Sequence, residues 1–220
     1  MLFIGDTHGK YDAYYELVKN SKSSFQLGDF GFSEAWNRLL YSDLNPELHK
    51  VGQGNHDPHN SLNNSSKHWT GRFGNLLVDN QQIFWIGGAL SIDLVYRVGE
   101  WMSRNRNPVY QTWFANEQLS YQEFKDCEKL WKKFKPKVVA SHTCPSFVIK
   151  KGFSGNKSNR IMEDYGWGAE YNDITSQFLD HLWSIHRPDF WIFGHFHCSY
   201  HERFENTEFR CLAELETFEF

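Results

Sequence analysis

The chain has 220 residues, of which 40% are hydrophobic, 17% aromatic and 23% charged, enough to close a substantial core as one globular domain spanning 1–220. Its net charge of −4 does not suit a nucleic-acid coat or a membrane-surface binder, so no stable nucleic-acid complex is expected. The longest apolar runs, such as Phe84 to Leu90, are strand-length and far short of the ~20 residues a membrane span needs.

In chain order, Leu2 to Gly5 reads as a buried strand ending in Asp6, followed by a helix over Lys10 to Lys19. No secretory leader is expected, since the first strand-like run is entered at Leu2. Ser24 to Gly28 is a second strand, ending in Asp29, and Leu48 to Gly52 a third, running into Gly54-Asn55-His56-Asp57. Asn75 to Asp79 and Ile83 to Gly88 pattern as a strand pair turning at Asn80-Gln81. Ser120 to Phe134 carries Phe124, Cys127, Leu130, Trp131 and Phe134 at helical spacing, with Ser120 and Glu123 as a capping box. Val138 to Ser141 is a strand ending at His142, and Thr175 to Ile185 a helix. Asp189 to Phe193 is a strand ending at Gly194-His195, and Phe209 to Leu215 the last strand. Strands interleaved with helices predict an α/β domain with partly parallel sheets. The four cysteines, Cys127, Cys144, Cys198 and Cys211, show no CxxC spacing, and reduced thiols in a cytoplasmic protein are expected.

Five strand-like runs each end at a polar cluster: Asp6-Thr7-His8, Gly28-Asp29, Gly54-Asn55-His56-Asp57, Ser141-His142 and Gly194-His195-Phe196-His197. In α/β sheets ligands bind at the carboxyl ends of strands, so five such ends converging on one edge make one site. Alternation in extended chain puts Asp6 and His8, and likewise His195 and His197, on a common side. Carboxylate, imidazole and one amide oxygen suit divalent Mn, Fe, Co, Ni or Zn rather than calcium, and no cysteine joins the set. Taken singly each cluster has a plain alternative, a capped turn for Asp-x-His and Gly-Asn-His-Asp or a satisfied core histidine for His142. Their joint order favours chemistry.

As an ordered set, GDTHG, GDFG, GNHD, SHTCP and GHFH resemble the blocks of the calcineurin-like metallophosphoesterase family, from Asp6 to His197. The resemblance implies a four-layer αββα sandwich of two mixed sheets flanked by helices. It implies two divalent metals, manganese favoured, with Asp6, His8 and His197 on one, Asn55, His142 and His195 on the other, and Asp29 bridging both. It further implies phosphoester hydrolysis by a metal-bridging hydroxide attacking in line, with His56, protonated or nearly so, assisting the leaving group. Asp57 either orients His56 or caps a turn.

A second resemblance, to a small bacterial and phage-borne branch of the family, rests on Gly87-Gly88-Ala89-Leu90-Ser91-Ile92-Asp93, Arg97, Trp113 and Glu117. Arg97 there either clamps a substrate phosphate or makes an ion pair with Asp93 or Glu117. The [V/I]-D-R-G run that protein serine/threonine phosphatases carry after Gly-Asp is replaced by Phe30-Gly31-Phe32, which speaks against a protein substrate. The expected substrate is a small phosphorylated molecule, nucleotides included, in the cytoplasm (of the host, if phage-encoded). The alternatives are a protein phosphatase or a non-catalytic scaffold. Thr143 to Tyr171 lacks periodicity and carries Lys150, Lys151, Lys157 and Arg160, a basic lid or a solvated loop. Trp101 to Arg106 either stacks on a nucleobase or forms a pinned surface turn.

Overall fold

In a computed structural model of the chain, residues 1–31, 33–57, 65–107, 112–152 and 172–220 are described. Strands β1 (Leu2–Ile4), β2 (Ser24–Gln26) and β3 (His49–Val51) run parallel, with β10 (Thr217–Glu219) antiparallel on the outer edge of β1. The second sheet has the order β4 (Phe73–Val78), β5 (Gln81–Ile86), β6 (Val138–Ser141), β7 (Phe190–Phe193), β9 (Thr207–Cys211), β8 (Tyr200–Phe204). Its four inner strands are parallel and both edge strands antiparallel.

Alternation along the strands explains the layering. Phe3, Phe25, Ile83, Trp85, Ala140 and Ile192 meet between the two sheets. Their neighbours point the other way. Ile4 and Val51 pack against α1 (Tyr11–Val18) and α2 (Ser33–Leu40), where Tyr14, Trp36 and Leu39 are buried. On the far side Phe84, Val139, Trp191 and Phe193 pack against Trp131 of α4 (Tyr121–Phe134) and Leu179 and Leu182 of α6 (Ile174–Ile185). The result is the expected four-layer αββα sandwich. The Ser120–Glu123 capping box starts α4 as its sequence predicts.

Several elements depart from the sequence reading. The hairpin turns at Asp79-Asn80, one residue earlier than expected, with both residues left-handed (φ 47° and 63°). A two-residue turn of that hand matches the strand twist, and Asp and Asn tolerate it. Helix α2, α3 (Leu94–Ser103), β8 and β10 were not anticipated. Within the segment read as structureless, Ser146–Gly152 forms helix α5, which carries Lys150 and Lys151. Lys157 and Arg160 lie outside the described residues. No described helix is long and apolar enough to cross a membrane.

Candidate metal centre

The loops after β1, β2, β3, β6 and β7 converge at one edge of the sandwich. Backbone bonds tie them in series. The amides of Thr7 and His8 donate to the Asp29 carbonyl at 3.0 and 2.8 Å, His142 N–H donates to Ile86, and Gly194 N–H to His142. The alternation argument for the paired ligands does not hold. His8, Asp29, His195 and His197 all sit at positive φ (46°, 52°, 70° and 49°), so these are turns rather than extended chain. Such backbone is costly for non-glycine residues and persists only where the surroundings over-determine it, commonly at functional sites.

Two groups of side chains able to hold a metal ion result. Asp6, His8 and His197 form one and Asp29, His142 and His195 the other, with the candidate ligand atoms of each group within 4.8 Å of one another. In the first, His8 Nε2 and His197 Nε2 are 2.8 Å apart, and Asp6 Oδ2 lies 3.2 Å from His197. In the second, His142 Nε2 lies 2.7 Å from Asn55 Oδ1 and 3.5 Å from Asp29 Oδ2. A β-carbon on Gly194 would collide with the Asp6 carboxylate, and one on Gly54 with that of Asp29. Glycine at these two points is therefore a packing requirement of the cluster.

The donor chemistry fits a divalent cation in each group. His142 Nδ1 is 2.8 Å from the Leu27 carbonyl, which can only accept, so the ring donates there. Its Nε2 then faces the acceptor oxygens of Asn55 and Asp29. Either a second proton or a cation must occupy that direction. Without a cation the proton is held: burial opposes it, but the Asp29 charge above all carries His142 up to about 9. The reverse holds for Asp29. Burial pushes its carboxyl up, and the His142 and His56 charges overcome this and hold it well below the usual carboxylate range. His195 is held well below the ordinary histidine value by burial, then by the His142 charge.

A cleft of about 190 Å³ opens over the cluster, lined by Asp29, His56, Asp93, Arg97, His195 and His197 among others. His56 Nδ1 faces the Thr112 carbonyl at 3.2 Å, and its Nε2 lies 3.1 Å from Asn55 Nδ2 and 3.8 Å from Asp93 Oδ1. Burial first, with Arg97 adding, pulls His56 below its ordinary value despite Asp29 and Asp93. Arg97 is in the cleft, its Nε 2.6 Å from both oxygens of Asp93, so of the two partners considered it pairs with Asp93 and not Glu117. Asp57 does not orient His56. Its carboxylate accepts the amides of Phe30, Gly31 and Gly54, which settles its role as a turn cap. Trp101, within α3, lies edge-on to Trp113 with centroids 5.6 Å apart. Ser91 and Asp93 both lie in the segment that carries the second resemblance; Asp93 is read there as a possible partner of Arg97, whereas Ser91, 2.9 Å from Asn55 Nδ2, is given no role.

Among solved structures, the phosphopantetheinyl hydrolase of Mycobacterium tuberculosis is 12% identical at TM-score 0.48, over 97% of this chain and 89% of that one. The anchor of the inner membrane complex of Plasmodium is 12% identical at TM-score 0.44, over 97% and 71%. A conserved uncharacterized protein of Streptococcus pneumoniae, described as a predicted phosphoesterase, is 10% identical at TM-score 0.36, over 97% and 72%. No curated protein sequence matches significantly. The family model described as calcineurin-like phosphoesterase matches residues 1–199, and the chain belongs to that family of metal-dependent phosphoester hydrolases.

Proposed function

We propose that the protein hydrolyses small phosphoesters, diesters in preference to monoesters and nucleotides among them, with two divalent cations, manganese favoured. Asp6, His8 and His197 would hold one cation, Asn55, His142 and His195 the other, and Asp29 both. The observation that carries this reading is the pair of adjacent ligand groups at the floor of a cleft that also presents His56 and Arg97. When bound, the cations supply Lewis acidity, which lowers the pKa of a water and neutralises charge on the phosphoryl oxygens.

The chain's own residues do the rest. The Asp93 carboxylate holds Arg97 in the cleft, where the guanidinium receives a non-bridging phosphate oxygen. With Nδ1–H fixed on Thr112, the mobile proton of His56 is the one on Nε2, beside Asp93. An anionic substrate adds to the pull of Asp29 and Asp93 toward protonation, and the ring then passes that proton to the leaving oxygen. A cleft of about 190 Å³ suits one phosphoryl group with part of its ester arms rather than a folded protein segment. The net charge of −4 likewise favours a small substrate, met in the cytoplasm, over a nucleic-acid partner. The test is hydrolysis of bis-4-nitrophenyl and 4-nitrophenyl phosphate after reconstitution with manganese. Turnover of the diester is expected, and turnover of the monoester alone refutes the diester preference.

A further inference from the structure

An amide ligand is ambiguous, since either end of its side chain fits the same space. At Asn55, fully buried, the ambiguity is settled by a chain of hydrogen bonds leading away from the cluster. Asn55 Nδ2 lies 2.9 Å from Ser91 Oγ, and Ser91 Oγ lies 2.6 Å from Glu117 Oε2. Glu117 Oε1 also accepts the Ser91 backbone N–H at 3.0 Å. When ionised, the Glu117 carboxylate only accepts, so the single hydroxyl proton of Ser91 then points at Glu117. The Ser91 oxygen is then left to accept, and only the NH2 end of Asn55 can face it. The second NH2 hydrogen meets Nε2 of the neutral His56 ring at 3.1 Å, so in that state both donors of the amide are accounted for. Oδ1 is thereby turned to His142 Nε2, at 2.7 Å.

We propose that Glu117, acting through Ser91, is a positioning residue that fixes which end of Asn55 faces the metal centre. This rests on Asn55 being a ligand of the second cation. Glu117 is only 4% exposed, and a carboxylate kept inside the protein with, among the described residues, one serine as its side-chain hydrogen-bond partner has a cost that packing alone does not explain. The direction of donation is what matters. In Glu117→Gln the amide oxygen is needed by the buried Ser91 N–H, so its NH2 faces Ser91 Oγ. The hydroxyl proton is then driven toward Asn55, which favours the flipped amide. A flipped Asn55 offers the cation two hydrogens in place of a lone pair. Ser91→Ala removes the instruction without reversing it.

The experiment is a Co²⁺ titration of EDTA-stripped wild type, Glu117→Gln and Ser91→Ala near pH 8, read by calorimetry and by Co²⁺ d–d absorption. Two binding phases are expected for wild type. Glu117→Gln should weaken one phase by about 10–100-fold and leave the other in place, with Ser91→Ala weakening the same phase less. Unchanged binding in both variants, equal weakening of both phases, or a larger loss in Ser91→Ala than in Glu117→Gln overturns the proposal. Circular dichroism of the stripped proteins reports folding. If Glu117→Gln does not fold, Ser91→Ala decides alone, a one-phase loss supporting the positioning role and wild-type binding overturning it. A wild type that takes up fewer than two Co²⁺ sinks the two-metal reading itself, a result distinct from any difference between variants.

Discussion

Asp57 accepts the backbone N–H of Gly31 at 2.8 Å, joining the turn that carries Asn55 and His56 to the turn that carries Asp29. The same carboxylate takes the amides of Phe30 and Gly54 at 3.2 and 2.9 Å. Three buried donors thus share one acceptor. Asp57→Ala should leave them unsatisfied and destabilise the protein by about 2–4 kcal/mol, a fall in Tm of roughly 5–15 °C at this chain length. An unchanged melting temperature in EDTA would contradict the cap.

His56 lines the cleft but belongs to neither ligand group. His56→Ala should therefore keep its metal content, measured by elemental analysis, while turnover drops by about 10²–10⁴-fold. The loss should be smaller for a 4-nitrophenyl leaving group than for an alkyl one, because a good leaving group needs little protonation. An equal loss for both removes His56 from the acid role.

Asp29 combines a left-handed backbone with a fully engaged side chain, since its Oδ1 also accepts the His56 amide at 2.8 Å. As the shared ligand it predicts a joint defect. Asp29→Asn should lower occupancy of both metals in a manganese titration. Loss of one metal with the other intact would mean that Asp29 serves only the group it forms with His142 and His195.

The candidate ligands were legible because each is announced locally, by a short apolar run ending in a polar cluster, and the sheet order brings those ends together. What local pattern cannot carry is handedness and choice of partner. Asp6 and His8 do converge, yet through a left-handed turn at His8 and not through strand alternation. Arg97 had two acidic candidates, and only the tertiary path of α3 sets Asp93 against it and leaves Glu117 to Ser91. Strand β10 pairs with β1 from the opposite end of the chain, a contact without local signature. Helix α2 is different. Ala35, Trp36 and Leu39 stand at helical spacing, and eight residues between two glycine- and proline-bearing loops were too short to weigh.

Glu117 makes the pH dependence of stability a test of its burial. Its carboxyl is pushed up from 4.5 to about 7, first by burial, with Asp173 and Asp29 adding and the hydrogen bonds from Ser91 opposing. Between those two values the folded chain holds a proton that the unfolded chain has released. Stability therefore falls as pH rises through this window, and the loss attributable to Glu117 is complete above about pH 7. Glu117→Gln removes that contribution. In EDTA, the Tm of Glu117→Gln relative to wild type should rise between about pH 4 and pH 8. The change should be on the order of 3 kcal/mol at most, or about 5–10 °C. A Tm difference that stays flat across this range would mean that Glu117 titrates as freely in the folded protein as in the unfolded chain. Its carboxylate would then lack the buried setting from which it directs the Ser91 hydroxyl.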